Sequence, residues 1–544
     1  MTIGSILKTA ALAVALLAGL AAGPAAAEWK RAETAHFIIY GDVPEQTIRR
    51  YAQKIERFDS FLRAYYPIEV DHQIPKLEIF LADGRRDMER AYPGIGGSVA
   101  GYYSPNSGRI HAVVDTDAVS GDVVMFHEYA HHFMFQMRAN AYPSWFVEGF
   151  AEYYSTADVR PDRVQFGRHH PGRIQALTLG ANSWARMEDV LTWRYTASGR
   201  YPAYLYYAQA WAMTHYFMST PERTRMLGQY LAAVVRGENS VEAMQAATGR
   251  TPEQLQHDIR MYVSGPINIL TPQLDLPEPA VAVTSLSRPE SEMAWLDLRL
   301  DREPVKVEPA DDDGATRKSD AQKAREAREE AEYRAELIRS ALAAAGRHRG
   351  ERMAALVEAR AHRLTGDLDA AFTALEPLVA EGSDDAVALR LAGSILLDMA
   401  EKEAAPSAAA GRRRAALGHL SRSYEIDPLD FRTYLAINDV RRHEAGYPND
   451  NDLTTLETAR ALAPQSFDVR LRLGAAYMSR ALAEAAVITL RPVANSPHRS
   501  RYTRQARQMI ATALGETTAV DDAPPEADQA AAGAGEADNP APDA

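Results

Sequence analysis

The sequence predicts an α+β domain followed by an all-α array of helical repeats. Two observations lead there. Up to about residue 265, short β-rich runs alternate with amphipathic helical patterns, as in a mixed domain. From about Ala321 to Leu514 the chain reads as helix almost throughout, and turn and small-residue signatures recur with a period near 34 residues, as in stacked helical hairpins. The expected organisation is a signal segment at 1–27, the α+β domain at 28–265, a linker with room for one helix at 266–320, the repeats at 321–515 and an acidic tail at 516–544.

Each element has its own reason. Lys8, the apolar run Ala10 to Leu20 and the small residues Ala25-Ala26-Ala27 form a secretory signal that leaves Glu28 as the mature N-terminus. The run is short for a membrane span and is followed by Gly23-Pro24; an uncleaved anchor is the alternative. His36 to Tyr40 is β-rich. Glu45 to Tyr65 carries Ile48, Tyr51, Ile55, Phe58 and Leu62 on one helical stripe. Lys76 to Leu81 alternates as a half-buried strand, and Asp83 to Ala91 reads as helix. Ser98 to Tyr103 and Arg109 to Val114 are two strands joined by the turn Ser104 to Gly108. Ser120 or Asp122 caps the next helix, Arg138 to Ser144 is a connection, and Pro143 starts a helix from Trp145 to Ser155. Further helices run to about Val263. No later stretch is long and apolar enough to span a bilayer.

Pro266, Pro272, Pro277 and Pro279 mark an extended connector, Ser287 to Leu300 can hold one helix, and Glu303 to Asp320 is charged linker. In the helical region, Gly366-Asp367-Leu368-Asp369-Ala370-Ala371 is the turn between paired helices of a tetratricopeptide-like repeat. Asp427-Pro428 and Ala463-Pro464 end helices 36 residues apart, and Gly474-Ala475-Ala476-Tyr477 supplies the small-residue helix contact. Pro406 to Arg414 reads as an insertion that interrupts the pattern.

Composition narrows the function. The net charge of −13 argues against a nucleic-acid partner, although the tail from Glu516 onward holds eight of the acidic residues and no basic one. There is no cysteine, which excludes a lipoprotein anchor, disulfides and thiolate metal sites. An exported chain rich in Ala and Arg points to a bacterial periplasm or the outside medium.

The chemistry is concentrated in His127-Glu128-Tyr129-Ala130-His131. Two imidazoles at i and i+4 share one helix face and can reach one metal ion, with a carboxylate beside the first as general base. Downstream, Trp145-Phe146-Val147-Glu148-Gly149-Phe150-Ala151-Glu152 places Glu148 on a second helix, with sixteen residues between it and His131. With these two motifs in this order, the sequence resembles the gluzincins, zinc peptidases with H-E-x-x-H and a downstream Glu ligand on W-x-x-E-G-x-A. The resemblance covers the region from the strands before the active helix to about residue 265.

The resemblance implies a zincin-like metallopeptidase fold for the first domain, with zinc as cofactor. It makes His127, His131 and Glu148 the zinc ligands and Glu128 the group that activates water and passes its proton to the leaving amine. Glu152 becomes a carboxylate behind a zinc histidine, although Glu stands where the related pattern has Asp; the alternative makes Glu152 the ligand in place of Glu148. Tyr207 is the nearest match to the oxyanion donor, with Tyr204 and Tyr206 competing. Ser98 to Tyr103 would be the edge against which an extended peptide lies.

His132 reads as structural, His169-His170 as loop, and Trp145 and Phe146 as core, while His36, His111 and His215 have no evident partner in the sequence. The functional expectation is an exported zinc metallopeptidase acting on peptide or protein substrate, with helical repeats that bind a protein partner or position the substrate. The alternatives are a binding scaffold whose peptidase domain is inactive, and zinc-dependent hydrolysis of a non-peptide amide or ester.

Overall fold

The structure is a computed structural model that describes residues 28–67, 72–97, 99–105, 108–117, 121–169, 171–179, 184–192, 201–302, 320–496 and 501–516. Residues 1–27, read above as a signal, Ser98, the tip of the 104–108 turn, Ser120, His170, most of the stretch read as charged linker and nearly all of the acidic C-terminal stretch lie outside them.

The first region is built on a six-stranded sheet. Its members are β1 (Lys30–Glu33), β2 (Phe37–Gly41), β3 (Leu77–Ala82), β4 (Gly101–Pro105), β5 (Ile110–Asp115) and, far along the chain, β8 (Ala282–Ser285). The order is β4-β5-β3-β2-β1-β8. β3 is central and parallel to both β2 and β5. Its run Leu-Glu-Ile-Phe-Leu-Ala buries nearly every residue, as a strand covered on two faces must. The parallel β2–β3 step is made through α1 (Glu45–Tyr65), whose stripe Ile48, Tyr51, Ile55, Phe58 and Leu62 is buried as its periodicity predicts. β4 pairs antiparallel with β5 and is the outer strand on that side.

α2 (Arg85–Ala91) follows β3, and α3 (Gly121–Met137) and α4 (Ser144–Ser155) follow β5. A short hairpin of β6 (Asp158–Arg160) and β7 (Arg163–Gln165) precedes α5 (Pro171–Leu179), α6 (Met187–Thr192), α7 (Ala203–Met218), α8 (Pro221–Arg236), α9 (Ser240–Thr248) and α10 (Pro252–Val263). The main core joins one sheet face to α1, α3, α4 and α7. A smaller core on the other face joins Phe80, Met88, Tyr102 and Val113 to Trp29 and Leu298.

Two sequence expectations change here. The stretch read as linker contributes to the first unit: Ala282–Ser285 pairs with β1, and α11 (Arg288–Arg302) supplies Leu298 to the second core. Pro406 to Arg414, read as an insertion in the repeat pattern, is helical. It forms the first turns of a 21-residue helix, because proline is tolerated at the first helical positions and the Ala and Arg that follow favour helix.

The C-terminal region is largely helical: α12 (Asp320–Arg347), α13 (Arg352–Thr365), α14 (Leu368–Leu375), α15 (Ala386–Lys402), α16 (Pro406–Ile426), α17 (Phe431–Arg441), α18 (Asp450–Leu462), α19 (Phe467–Ser479), α20 (Ala483–Ala494) and α21 (Arg501–Leu514). Consecutive helices pack as hairpins, α13 on α14, α15 on α16, α17 on α18 and α19 on α20. Gly366 closes α13 in the left-handed conformation and Asp367 caps α14, which is why Gly-Asp stands at that turn. A Cβ at Gly474 would come within 2.7 Å of the Leu490 side chain, so the small residue sets how closely α19 meets α20.

The repeats are docked on the first region. A chain of alternating charges runs from Glu78 on β3 to Arg109 just before β5, Asp297 on α11, Arg360 on α13, Asp301 on α11, Arg432 on α17, Asp430 at the N-cap of α17, and Arg390 on α15. Arg432 also donates to the Gly108 carbonyl at 3.0 Å, at the base of the β4–β5 hairpin. Farther along, His72 meets the Ala461 carbonyl (3.1 Å), Gln136 donates to Leu462 (3.4 Å), and Arg491 donates to the Arg236 carbonyl at the end of α8 (2.8 Å). Among the described residues no helix is long and apolar enough to cross a membrane.

Candidate functional site

The site lies where α3 crosses α4. All twelve residues of α4 are buried, and α3 is buried on most of its surface, so both helices are held by core on several sides. Trp145 seats the start of α4: its ring stacks on Tyr230 and its Nε1 donates to the Tyr230 hydroxyl at 3.0 Å. Gly149 lets α7 approach. A Cβ there would lie 2.2 Å from Thr214 Oγ1 and 2.4 Å from the Ala210 carbonyl oxygen.

The helical spacing brings His127 and His131 together with Nε2 atoms 3.1 Å apart. Glu148 Oε2 lies 3.4 Å from His131 Nε2 and 3.7 Å from His127 Nε2. One turn beyond, Glu152 Oε1 lies 3.5 Å from the other nitrogen of His127, Nδ1. Glu152 therefore stands behind His127, and it is Glu148, not Glu152, that faces the two Nε2 atoms. Glu128 is 2% exposed, and its Oε1 is buried with no hydrogen-bond partner among the described residues.

Arg173 on α5 completes the buried group. Its Nε donates to Glu152 Oε2 at 2.9 Å and its Nη2 to Oε1 at 2.8 Å, and its guanidinium lies over the Tyr207 ring, 5.3 Å from the centroid. The sequence reading missed it. Its partner is 21 residues earlier, and the helix-start pair Pro171-Gly172 marks only the element that carries it.

The electrostatics follow from burial and opposed charges. Burial, reinforced by the neighbouring His131, pulls His127 down to about 4. Burial acts on His131 in the same direction, but the Glu148 carboxylate outweighs it and holds that imidazole above its usual value. Burial pushes Glu128 up to about 8, against the attraction of His131.

The three tyrosines separate. Tyr204 is 46% exposed, whereas Tyr206 is fully buried and Tyr207 nearly so. Burial and the nearby Glu148 charge raise Tyr206 well above its ordinary value. Tyr207 joins the group through Arg173. The strand expected at Ser98 to Tyr103 is described as Gly101–Pro105; it is the outer strand and packs on α3.

His132, His111, His215 and His36 have partners among the described residues. His132 Nδ1 meets the Tyr103 hydroxyl at 3.0 Å, and burial lowers it to about 3. His111 Nδ1 meets the Arg109 carbonyl, and His215 lies between the Tyr262 hydroxyl and the Gly167 carbonyl. His36 joins Glu56 and Asp59 in a second group with metal-ligand residue types. That group is already partnered: His36 Nδ1 meets Glu56 at 2.6 Å, Arg63 Nε reaches both Asp59 oxygens, and the Tyr129 hydroxyl donates to Asp59. His169 lines a surface groove with Ile174, Thr178 and Ile267.

A family described as a protein of unknown function, DUF1570, matches residues 123–236, a span that holds His127, Glu128, His131, Glu148, Glu152, Arg173 and Tyr207. No curated protein matches the chain. Among solved structures, a thermophilic TPR protein from Thermus thermophilus aligns at 17% identity, covering 33% of this chain and 90% of its own, with a TM-score of 0.29. That superposition is too loose to assign a fold.

Proposed function

We propose that the chain is an exported zinc-dependent metallopeptidase, with His127, His131 and Glu148 as the residues that would hold the metal. The observation that carries this is the convergence of three donor atoms on one point, 3.1, 3.4 and 3.7 Å apart. Donors about 2.0–2.1 Å from a tetrahedral zinc lie roughly 3.3–3.4 Å from one another, so the set fits without rearrangement. Charge fits as well. Glu148 and Glu152 stand against the single positive charge of Arg173, and a divalent cation would draw Glu128, held at about 8 by burial, into its ionised form.

A bound zinc supplies Lewis-acid polarisation of a scissile carbonyl and a water acidified to about pKa 7. The protein's own groups do the rest. Glu128 Oε1, which has no competing hydrogen bond, accepts the proton of the attacking water and returns it to the departing amine nitrogen. Tyr207 or Tyr206 offers a phenolic O–H to the developing oxyanion. The outer strand β4 offers main-chain groups to an extended peptide. One side of the repeat array is committed to the first region, which leaves the other helices to a protein partner or to the substrate.

The test is zinc content together with hydrolysis of an unfolded protein, with and without chelator, in the wild type and in Glu128→Gln. One zinc per chain, chelator-sensitive hydrolysis, and a loss of at least about 100-fold in the variant with zinc retained are expected. A chain that takes up no zinc overturns the metal reading. One that binds zinc but keeps its biological activity as Glu128→Gln is a scaffold.

A further inference from the structure

We infer that Arg173 is a positioning residue for the metal, acting through Glu152 to set the orientation of His127. The inference rests on the metal reading above and adds a residue to it. For His127 to present Nε2 to a cation, its proton must sit on Nδ1, and an acceptor must hold that proton in place. The carboxylate oxygen that faces Nδ1 is Glu152 Oε1, 3.5 Å away. A carboxylate can rotate about its last bond, so one contact does not fix which oxygen faces the ring. Arg173 removes that freedom by gripping both oxygens at once, at 2.8 and 2.9 Å.

The guanidinium is itself fixed. Its face rests on the Tyr207 ring while its edge meets Glu152, and both Arg173 and Glu152 are more than nine-tenths buried. A lysine would return the charge without the planar fork, so it could hold one oxygen but not both. The line Tyr207–Arg173–Glu152–His127 thus ties α7, α5 and α4 to the first histidine of α3.

The experiment is chelator competition for zinc on the full chain, with thermal unfolding of the zinc-free protein measured alongside. The variants are Arg173→Met, Arg173→Lys, Glu152→Gln and the double change Arg173→Met/Glu152→Gln. Arg173→Met and Glu152→Gln should each weaken zinc by about 10–100-fold. The double variant should be no weaker than the worse single, because both act along one line. Arg173→Lys should recover only part of the loss.

If Arg173 merely braces the fold, the zinc-free protein unfolds earlier while the folded chain binds zinc as before; that result overturns the inference. Multiplicative losses in the double variant overturn it too, since Arg173 would then not act through Glu152. Should Arg173→Met not fold, the double variant, which removes both buried charges together, is compared with Glu152→Gln, and any further loss counts against the inference. A wild-type chain without zinc overturns the metal reading and this inference with it, whereas tight zinc in both wild type and Arg173→Met overturns the inference alone.

Discussion

Gly149→Ala tests whether the α4–α7 contact places Glu148. The substitution touches none of the candidate ligands and adds one methyl group. That methyl would lie 2.2 Å from Thr214 Oγ1 and 2.4 Å from the Ala210 carbonyl oxygen. A comfortable carbon–oxygen contact is near 3.4 Å, so the helices must part by roughly 1 Å at this crossing. Thr214 is buried and the second obstacle is main chain, so neither can simply swing away.

Overpacking of this kind costs about 1–3 kcal/mol, and the severity of both contacts puts it at the upper end. Alanine returns at most about 1 kcal/mol of helix propensity. Overpacking therefore wins by about 2 kcal/mol, which lowers Tm by roughly 4–8 °C in a domain of this size. Because Glu148 is the adjacent residue and the donor atoms stand only 3.1–3.7 Å apart, a shift near 1 Å should also weaken zinc binding. Differential scanning calorimetry of the zinc-free chain and chelator competition measure the two effects. Adding Thr214→Ala should restore part of the stability and no more, since the Ala210 carbonyl remains. Unchanged Tm and zinc affinity in Gly149→Ala would refute the packing argument.

Tyr207→Phe should keep zinc and lose about 10²–10³-fold in kcat if its hydroxyl is the oxyanion donor, whereas Tyr204→Phe, on a half-exposed side chain, should leave kcat unmoved; the same loss in Tyr206→Phe instead would move the role to that residue. The docking of the repeats should respond to acid through Asp301. Burial opposes its ionisation, but Arg360 and Arg432 outweigh burial and hold its carboxyl at about 2. A carboxyl lowered on folding stabilises fully above its unfolded value near 3.8 and ceases to do so as pH falls through about 2. Asp301→Asn should therefore cost about 2–3 kcal/mol at pH 7, by leaving the Arg360 and Arg432 guanidinium groups under-partnered, and the gap to wild type should narrow towards pH 2. A gap equal at pH 7 and pH 2.5 in chemical denaturation would sink that assignment.

What the sequence made legible was chemistry encoded within one helical turn, or within two motifs in a fixed order. His127 and His131 sit at i and i+4, and Glu148 announces itself through its Trp and Gly neighbours. The strands β2 and β3 and the helix α1 carry their burial in their periodicity. The rest depends on partners far away. Lys30–Glu33 reads as polar, buries only Ala32, and is a strand because β2 and β8 pair with it on both sides. Ala282–Ser285 is four residues after a proline-rich connector, and its partner is some 250 residues earlier. Arg173 is one arginine among many until Glu152 is beside it. The interdomain charges alternate in space but are scattered from Glu78 to Arg432 in the chain, so no local pattern records them.

Charge balance separates the buried clusters that the fold uses for itself from the one it leaves open. In the interdomain chain, Glu78, Asp297, Asp301 and Asp430 face Arg109, Arg360, Arg390 and Arg432, four against four. Such a set is neutral, and each member is paired, so it needs no ligand. Around Asp59 and Glu56 the carboxylate oxygens already meet Arg63, His36 and Tyr129, which leaves nothing to coordinate a cation although the residue types suit one. The α3–α4 site differs on both counts. Three glutamates face one arginine, the two Nε2 atoms point at each other and at Glu148, and one oxygen of Glu128 has no partner. Burial holds Glu128 at about 8 and the Glu148 carboxylate raises His131, so protons offset part of this charge in the metal-free site; in the function proposed above a divalent cation would take their place. The His36 group and the α3–α4 group share residue types but differ in how fully their carboxylate oxygens are partnered, and that difference is the ground on which the proposed function places a metal at the α3–α4 crossing.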